Sequence, residues 1–232
     1  MKILDTQRFI NEKLDIKPFS RKGLMSYKTN YHPKNIDELK SIVKQRIEEE
    51  GNSCDLNDID VSRITSMSGL FCASDFNGDI SRWNVRNVIS MRGMFSGSKF
   101  NGDISKWCVD NVTDMSNMFC GSEFNGDISK WNVSKVVDMG NMFYKSKFNG
   151  DISKWDVSNV SSMYCMFNES EFNNDISEWD VKNVKSMRWM FYNAKAFNQN
   201  LSLWNVNISC DNTDMFKGSP IEFEIQKQPI LS

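Results

Sequence analysis

Trp83, Trp107, Trp131, Trp155 and Trp179 stand 24 residues apart, and Trp204 follows after 25. A chain that repeats its largest side chain at a fixed interval has few folds open to it. Its units must be small and alike, and must meet their neighbours through equivalent surfaces. Other columns keep the same period. Met-Phe recurs at 94–95, 118–119, 142–143, 166–167 and 190–191, with Leu70-Phe71 and Met215-Phe216 at the ends. Phe76, Phe100, Phe124, Phe148, Phe172 and Phe197 form a third column, each followed by Asn. The additional residue of the last interval lies between Phe191 and Phe197, where a loop is expected to absorb it.

Within one unit the pattern changes period. In Ile128-Ser-Lys-Trp-Asn-Val133 the apolar Trp131 and Val133 alternate with polar residues, which predicts a short half-buried strand. Val136, Met139, Met142 and Phe143 then fall at helical spacing, predicting a turn or two of helix. Asn87, Asn111, Asn159 and Asn183 precede such segments and are expected to cap them. Phe-Asn-Gly-Asp reads as the turn between helix and next strand. There Gly78, Gly102, Gly126 and Gly150 suggest positive φ, and Asn174 is the next most tolerant residue.

A unit this small cannot bury its own aromatic residues, so stacking is required to do it. Of the 7 Trp, 14 Met and 16 Phe in the chain, six, 12 and 13 fall in repeat columns, which leaves few large side chains to line a cofactor cavity. The expected architecture is an α/β repeat solenoid: a right-handed stack of about seven rungs, each a strand plus a short helix, with a parallel sheet. Residues 54–216 form the 24-residue repeats, 54–71 being a degenerate first copy. Residues 35–53 form an N-terminal capping helix, begun by a capping box at Asn35-Ile-Asp-Glu38, with Leu39, Ile42, Val43 and Ile47 on its apolar face. Residues 217–232 form a C-terminal cap, in which Ile221, Phe223 and Ile225 alternate as a closing strand. Residues 1–34 lack a period and read as an extended arm.

Composition narrows the function. Lys and Arg total 28 against 30 Asp and Glu, a balance that gives no general attraction to nucleic acid or anionic lipid. No apolar run reaches the ~18 residues of a membrane span. The amino end breaks into charge at Asp5 and Arg8, so no secretory signal is expected and the chain is expected to be made in a reducing cytosol. The six cysteines fit that setting. Cys72 and Cys120 share a column but lie two repeats apart, roughly 10 Å in stacked strands, beyond the reach of a disulfide. Cys54, Cys108, Cys165 and Cys210 fall in other columns, and all six read as free thiols.

Catalysis has little to work with. The single histidine, His32, precedes a proline in the arm, and no Cys-x-x-Cys pair or phosphate-cradling glycine loop occurs. No enzyme activity and no cofactor are therefore expected. The column Asp79, Asp103, Asp127, Asp151 and Asp175 could attract calcium, but each Asp also sits in a turn where its carboxylate can accept backbone N–H groups. With too few oxygen ligands per site for Ca²⁺, the turn-capping reading is preferred and no metal is expected. The Asn column (Asn77, Asn101, Asn125, Asn149, Asn173 and Asn198) reads as stacked amides that satisfy turn backbone.

Binding is left to surfaces. Alternation places Arg82, Lys106, Lys130, Lys154 and Glu178 outward beside the Trp column, with Asp156 and Asp180 in the neighbouring column, so the sheet face passes from basic to acidic along the stack. These seven residues are the candidate protein-binding face; the bland alternative is that they keep an exposed surface soluble. The arm offers a second candidate through Phe9, Ile10, Leu14 and Phe19, a segment that could order on a partner.

The phrase FNGDISKWNVSKVVDMGNMF at 124–143 resembles the BspA-like surface-protein repeat, known from bacterial and mycoplasma surface proteins and related to the leucine-rich repeats. The resemblance covers about residues 54–216. It implies a leucine-rich-repeat-like solenoid and an adhesion or interaction role, with no shared active site. Two functions stand open: a non-catalytic protein-interaction or adhesion module, such as a component of a viral or host-associated assembly, or a structural spacer whose ends or arm make the contacts.

Overall fold

A computed structural model describes residues 31–231. The described chain opens with helix α1, Ile36–Glu50. The Asn35 side chain accepts hydrogen bonds from the backbone N–H groups of Asp37 and Glu38, at 3.0 and 2.9 Å, and Asp37 and Glu38 favour the positive end of the helix dipole. Gly51, at φ 87°, ends it by returning its N–H to the Ile47 carbonyl. Leu39 and Val43 face the first repeat and are buried.

Beyond α1 the 24-residue period is realised by turns. Met91, Gly93, Phe95 and Gly97 donate their N–H groups to the carbonyls of Asp114, Ser116, Met118 and Cys120 in the following unit, at 2.7–2.9 Å. Met94, Ser96 and Ser98 donate instead to the carbonyls three residues back in their own unit, each at 3.1 Å. Alternate N–H groups thus run along the stack while the intervening ones close consecutive turns. The residues Ser66, Ser90, Asp114, Asp138, Ser162, Ser186 and Asp211 pair in parallel from unit to unit as isolated bridges.

This corrects the expected α/β solenoid. Among the described residues α1 is the only α-helix, and the only strands are β1, Asn205–Val206, and β2, Ile230–Leu231, which pair in parallel with each other. Among the described residues the repeats hold no short helix and no strand beyond Asn205–Val206 of the last one, so no parallel sheet runs through the rungs. The physical reason lies in φ. Gly93 and Gly97 sit at 60° and 65°; Asn117 and Asn141, the equivalents of Gly93, sit at 58° and 55°. A left-handed residue breaks an α-helix at once. Val136, Met139, Met142 and Phe143 are all buried, but from a succession of turns, because a spacing of three suits i→i+3 turns as well as a helix. At the expected strand, the Trp131 N–H closes onto the Ile128 carbonyl at 3.1 Å, so the chain turns a corner where it was expected to extend.

The glycine expectation is corrected too. Gly78, Gly102, Gly126 and Gly150 are not among the residues at positive φ. They serve close approach: a Cβ on Gly126 would lie 2.9 Å from the Phe124 ring. Asn87, Asn111, Asn159 and Asn183 cap no helix; each donates its side-chain amide to a carbonyl of the preceding unit, at 2.7–2.9 Å.

The core is a set of ring columns running the length of the stack. Trp83 and Trp107 stack with centroids 6.4 Å apart, Phe95 and Phe119 at 5.7 Å, and Phe100 and Phe124 at 6.3 Å. Parallel offset rings of this kind add to simple area burial. Each repeat-column indole also donates to the preceding unit, as Trp131 Nε1 does to the Ile104 carbonyl at 3.2 Å. That carbonyl also accepts the Trp107 N–H, so both its lone pairs are used.

At the far end, the closing strand expected through Ile221, Phe223 and Ile225 is replaced by two 3₁₀ turns, Pro220–Phe223 and Ile225–Lys227. Ile221 is buried, whereas Phe223 and Ile225 are exposed. The strand falls later, at β2, where the Ile230 N–H reaches the Trp204 carbonyl at 3.2 Å.

Candidate interaction surfaces

The Asp-x-Ser turns position the charged column. The Oδ1 atoms of Asp103, Asp127, Asp151 and Asp175 each accept the backbone N–H two residues on, at 2.9 Å. This Asx turn throws the next residue, Lys106, Lys130, Lys154 or Glu178, onto the outer corner while the following Trp turns in. Arg82, Lys106, Lys130, Lys154, Asp156, Glu178 and Asp180 are all exposed. They lie on a row of corners, since the sheet that would have carried them is not formed. Among the described residues Lys106, Lys130 and Lys154 make no ion pair within 4.0 Å, whereas Asp180 holds Lys182 at 2.7 Å. A shallow groove of about 280 Å³ opens at the basic end, lined by Trp83, Asn84, Val85, Arg86, Lys106 and Cys108.

The turns also set the protonation of the aspartates. The serine hydroxyl and backbone N–H two residues on hold Asp103 and Asp127 below the ordinary carboxylate range; at Asp151 and Asp175 the backbone N–H leads and the hydroxyl follows. Neighbouring lysines contribute less. A carboxylate with a lowered folded pKa binds fewer protons folded than unfolded, so stability rises with pH through the window below ~3.9. The contribution is complete above that value and is lost as pH falls through the lowered values. Urea unfolding is therefore expected to show a near-constant midpoint between pH 7 and 5 and a steep fall below about pH 4. Changing Asp103, Asp127, Asp151 and Asp175 together to Asn should flatten that fall and keep the turns, because Asn200 Oδ1 accepts the Ser202 N–H at 3.0 Å in the last repeat. An unchanged acid limb in this variant would show that the carboxylates do not set it.

A second polar ladder lies alongside. The N–H groups of Asn101, Asn125, Asn149, Asn173 and Asn198 each bond the Oδ1 of the preceding Asn, from Asn77 onward, at 2.8–2.9 Å. These amides close the backbone between units, as the sequence suggested.

The arm residues Phe9, Ile10, Leu14 and Phe19 lie outside the described residues. His32 is exposed, with Nδ1 3.3 Å from Asp60 Oδ2. All six cysteines are free thiols; burial pushes the Cys54, Cys120 and Cys210 thiols up, which makes them poor nucleophiles.

One cluster escaped the sequence reading. Trp189, the one Trp outside the repeat column, lies 5.8 Å from Tyr164 and 6.4 Å from Tyr192, ring centroid to centroid. The Arg188 guanidinium lies 4.4 Å above the Trp189 ring. Two units earlier Lys145 lies over Tyr144 at 5.1 Å. These residues come from three successive units; Tyr164 shares a column with Arg188 and Tyr144 with Tyr192, while Trp189 stands in another, so the stacking register gathers them. The signal available beforehand was compositional: aromatic residues at positions where earlier units carry Gly93 and Asn117, or Ser96 and Cys120.

A stack of near-identical turn-built units with two varied surfaces defines a repeat protein. The family described as "Mycoplasma protein of unknown function, DUF285" matches residues 37–147 and again residues 120–227, and the chain belongs to that family. No curated protein and no solved structure matches it. Among the described residues no helix is long and apolar enough to cross a membrane.

Proposed function

We propose that the chain is a non-catalytic protein-binding module whose partner meets the charged corner row. The observation that carries this reading is the regular exposure of Lys106, Lys130 and Lys154, without ion pairs among the described residues, on a backbone whose repeat is held by buried rings. Side chains on such a frame can vary without disturbing the core. The basic stretch suits an acidic partner, and Asp156, Glu178 and Asp180 disfavour the reversed orientation by like-charge repulsion. The resemblance of residues 124–143 to the BspA-like surface-protein repeat supports adhesion as the purpose, and a viral or host-associated assembly as one setting.

A spacer is the second reading, favoured by the small electrostatic benefit that Lys106, Lys130 and Lys154 bring to the neighbouring aspartates. The triple variant K106E/K130E/K154E separates the two. A binding module loses capture of its partner from an extract of its source, and wild-type capture weakens as salt rises. Equal capture by both proteins at low and high salt leaves only the spacer.

A further inference from the structure

We infer that Arg188, Trp189, Tyr164 and Tyr192 form a second recognition site, separate from the charged corner row, which takes a carboxylate side chain of an extended peptide segment. The first observation is backbone conformation. Trp189 sits at φ 58°, in a column whose earlier members are Gly69, Gly93, Asn117, Asn141 and Cys165. Glycine and asparagine take the left-handed region at low cost; a bulky aromatic residue does not. Folding alone gives no reason to place tryptophan there, and strain of this kind gathers at binding sites.

The second observation is the guanidinium. The Arg188 guanidinium lies over the Trp189 indole, 4.4 Å from its centre, and its Nε is buried with no hydrogen-bond partner. Among the described residues it makes no ion pair, while the nearby charges are matched: Lys145 with Glu169 at 3.5 Å and Lys217 with Asp214 at 3.7 Å. Trp189 Nε1 makes only a long 3.4 Å contact with Asp214. A planar cation fixed by stacking, with its fork uncommitted, is preorganised for a carboxylate. Tyrosine, tryptophan and arginine together are also the residues that dominate the energy of protein interfaces.

Charge decides the class of ligand. A nucleic-acid strand brings one phosphate per nucleotide and needs a run of cations. Here one guanidinium lies close enough to Asp211 for that carboxylate to feel its charge, and Asp214 touches Trp189, which disfavours a polyanion and leaves the fork for one carboxylate flanked by apolar groups. The tilted rings of Tyr164 and Tyr192 beside Trp189 would hold those flanking residues.

The test uses the full chain and a panel of labelled short peptides, each with one Glu between proline or leucine residues, and each with a Gln counterpart, read by fluorescence anisotropy. Wild type is expected to bind Glu members on the order of tenfold or more tighter than their Gln partners, the worth of a charge-assisted hydrogen bond. R188Q should abolish that preference, R188K should restore it only in part, and W189A should weaken both peptide classes. Circular dichroism of each variant should match wild type, since both side chains lie outside the core. K106E/K130E/K154E should leave the preference unchanged, which keeps this site distinct from the corner row. The proposal is overturned if no Glu peptide binds wild type more tightly than R188Q, or if a single-stranded oligonucleotide binds at this site in place of the peptides.

Discussion

Replacing Trp131 by alanine is expected to lower the unfolding free energy by about 3–5 kcal/mol. Trp131 is 3% exposed and lies 6.4 Å from the Phe119 ring, in the middle of the stack. Truncation removes most of its volume from a packed interior whose neighbours are held on both sides by repeats. It also takes away the indole N–H, one of the two donors whose hydrogen bonds the Ile104 carbonyl accepts. Trp131→Phe isolates part of this effect, because it keeps a ring and loses the N–H; its smaller cost should still include the ~0.5–1.5 kcal/mol of one lost hydrogen bond, the Ile104 carbonyl keeping the Trp107 N–H. Denaturant unfolding followed by circular dichroism measures both. In a stack bound through nearest-neighbour interfaces, damage to a central unit weakens two contacts at once. A loss below about 1 kcal/mol for the alanine variant would contradict the packing described for this column.

The second large effect is expected at the junction of α1 with the first repeat. Arg46 is 8% exposed and joins α1 to the first repeat. Its Nη1 donates to both Asp58 oxygens at 2.8 and 2.9 Å, its Nη2 to the Asp55 carbonyl at 3.0 Å, and its Nε to Glu50. The guanidinium also lies over Tyr31, 5.5 Å from the ring centre. The Glu50 hydrogen bond, against the opposing effect of burial, and then Asp58 hold its pKa above the ordinary range, so the group is charged at every working pH. Arg46→Ala strips these acceptors of their common donor and should cost about 3 kcal/mol. Arg46→Lys should recover only part, since an ammonium cannot span the fork. Because the lost contacts are local to one end, amide exchange in α1 should accelerate before that of the central repeats. Uniform acceleration along the whole chain would mean that α1 and the stack unfold as one unit.

The contrast between these two sites shows how much could be read beforehand. Trp131 was assigned to the interior because its column repeats without exception, and repeated chemistry implies a repeated environment. The Asn column and the Asp turns were legible for the same reason, each being a short-range hydrogen-bonding habit written once per unit. Arg46 was not singled out, because its partners Asp55 and Asp58 lie across a chain reversal that no helical pattern announces. Arg188 and Trp189 were missed on similar grounds: their neighbours Tyr164 and Tyr192 share no column with Trp189, and adjacency arises from stacking.

The expectation of strands and short helices failed at an identifiable point. Met139, Met142 and Phe143 keep a spacing that an α-helix and a run of i→i+3 turns satisfy equally. What separates them is the fate of alternate N–H groups, which a helix returns to residue i−4 and this chain sends to the next unit. Gly69, Gly93, Gly97 and Gly121 carried a hint of the left-handed positions, but Cys165, Glu169 and Trp189 adopt the same conformation and obscured it.

The amino-acid sequence by itself therefore determined the period, the residues that fill the core and the polar ladders that close each turn. All of these follow from side-chain chemistry repeated at one interval. Tertiary structure alone decided that the units are built from turns, and which exposed side chains meet across them. A hydrogen bond between units 24 residues apart competes with local helix formation, and the outcome depends on a neighbouring unit already in place.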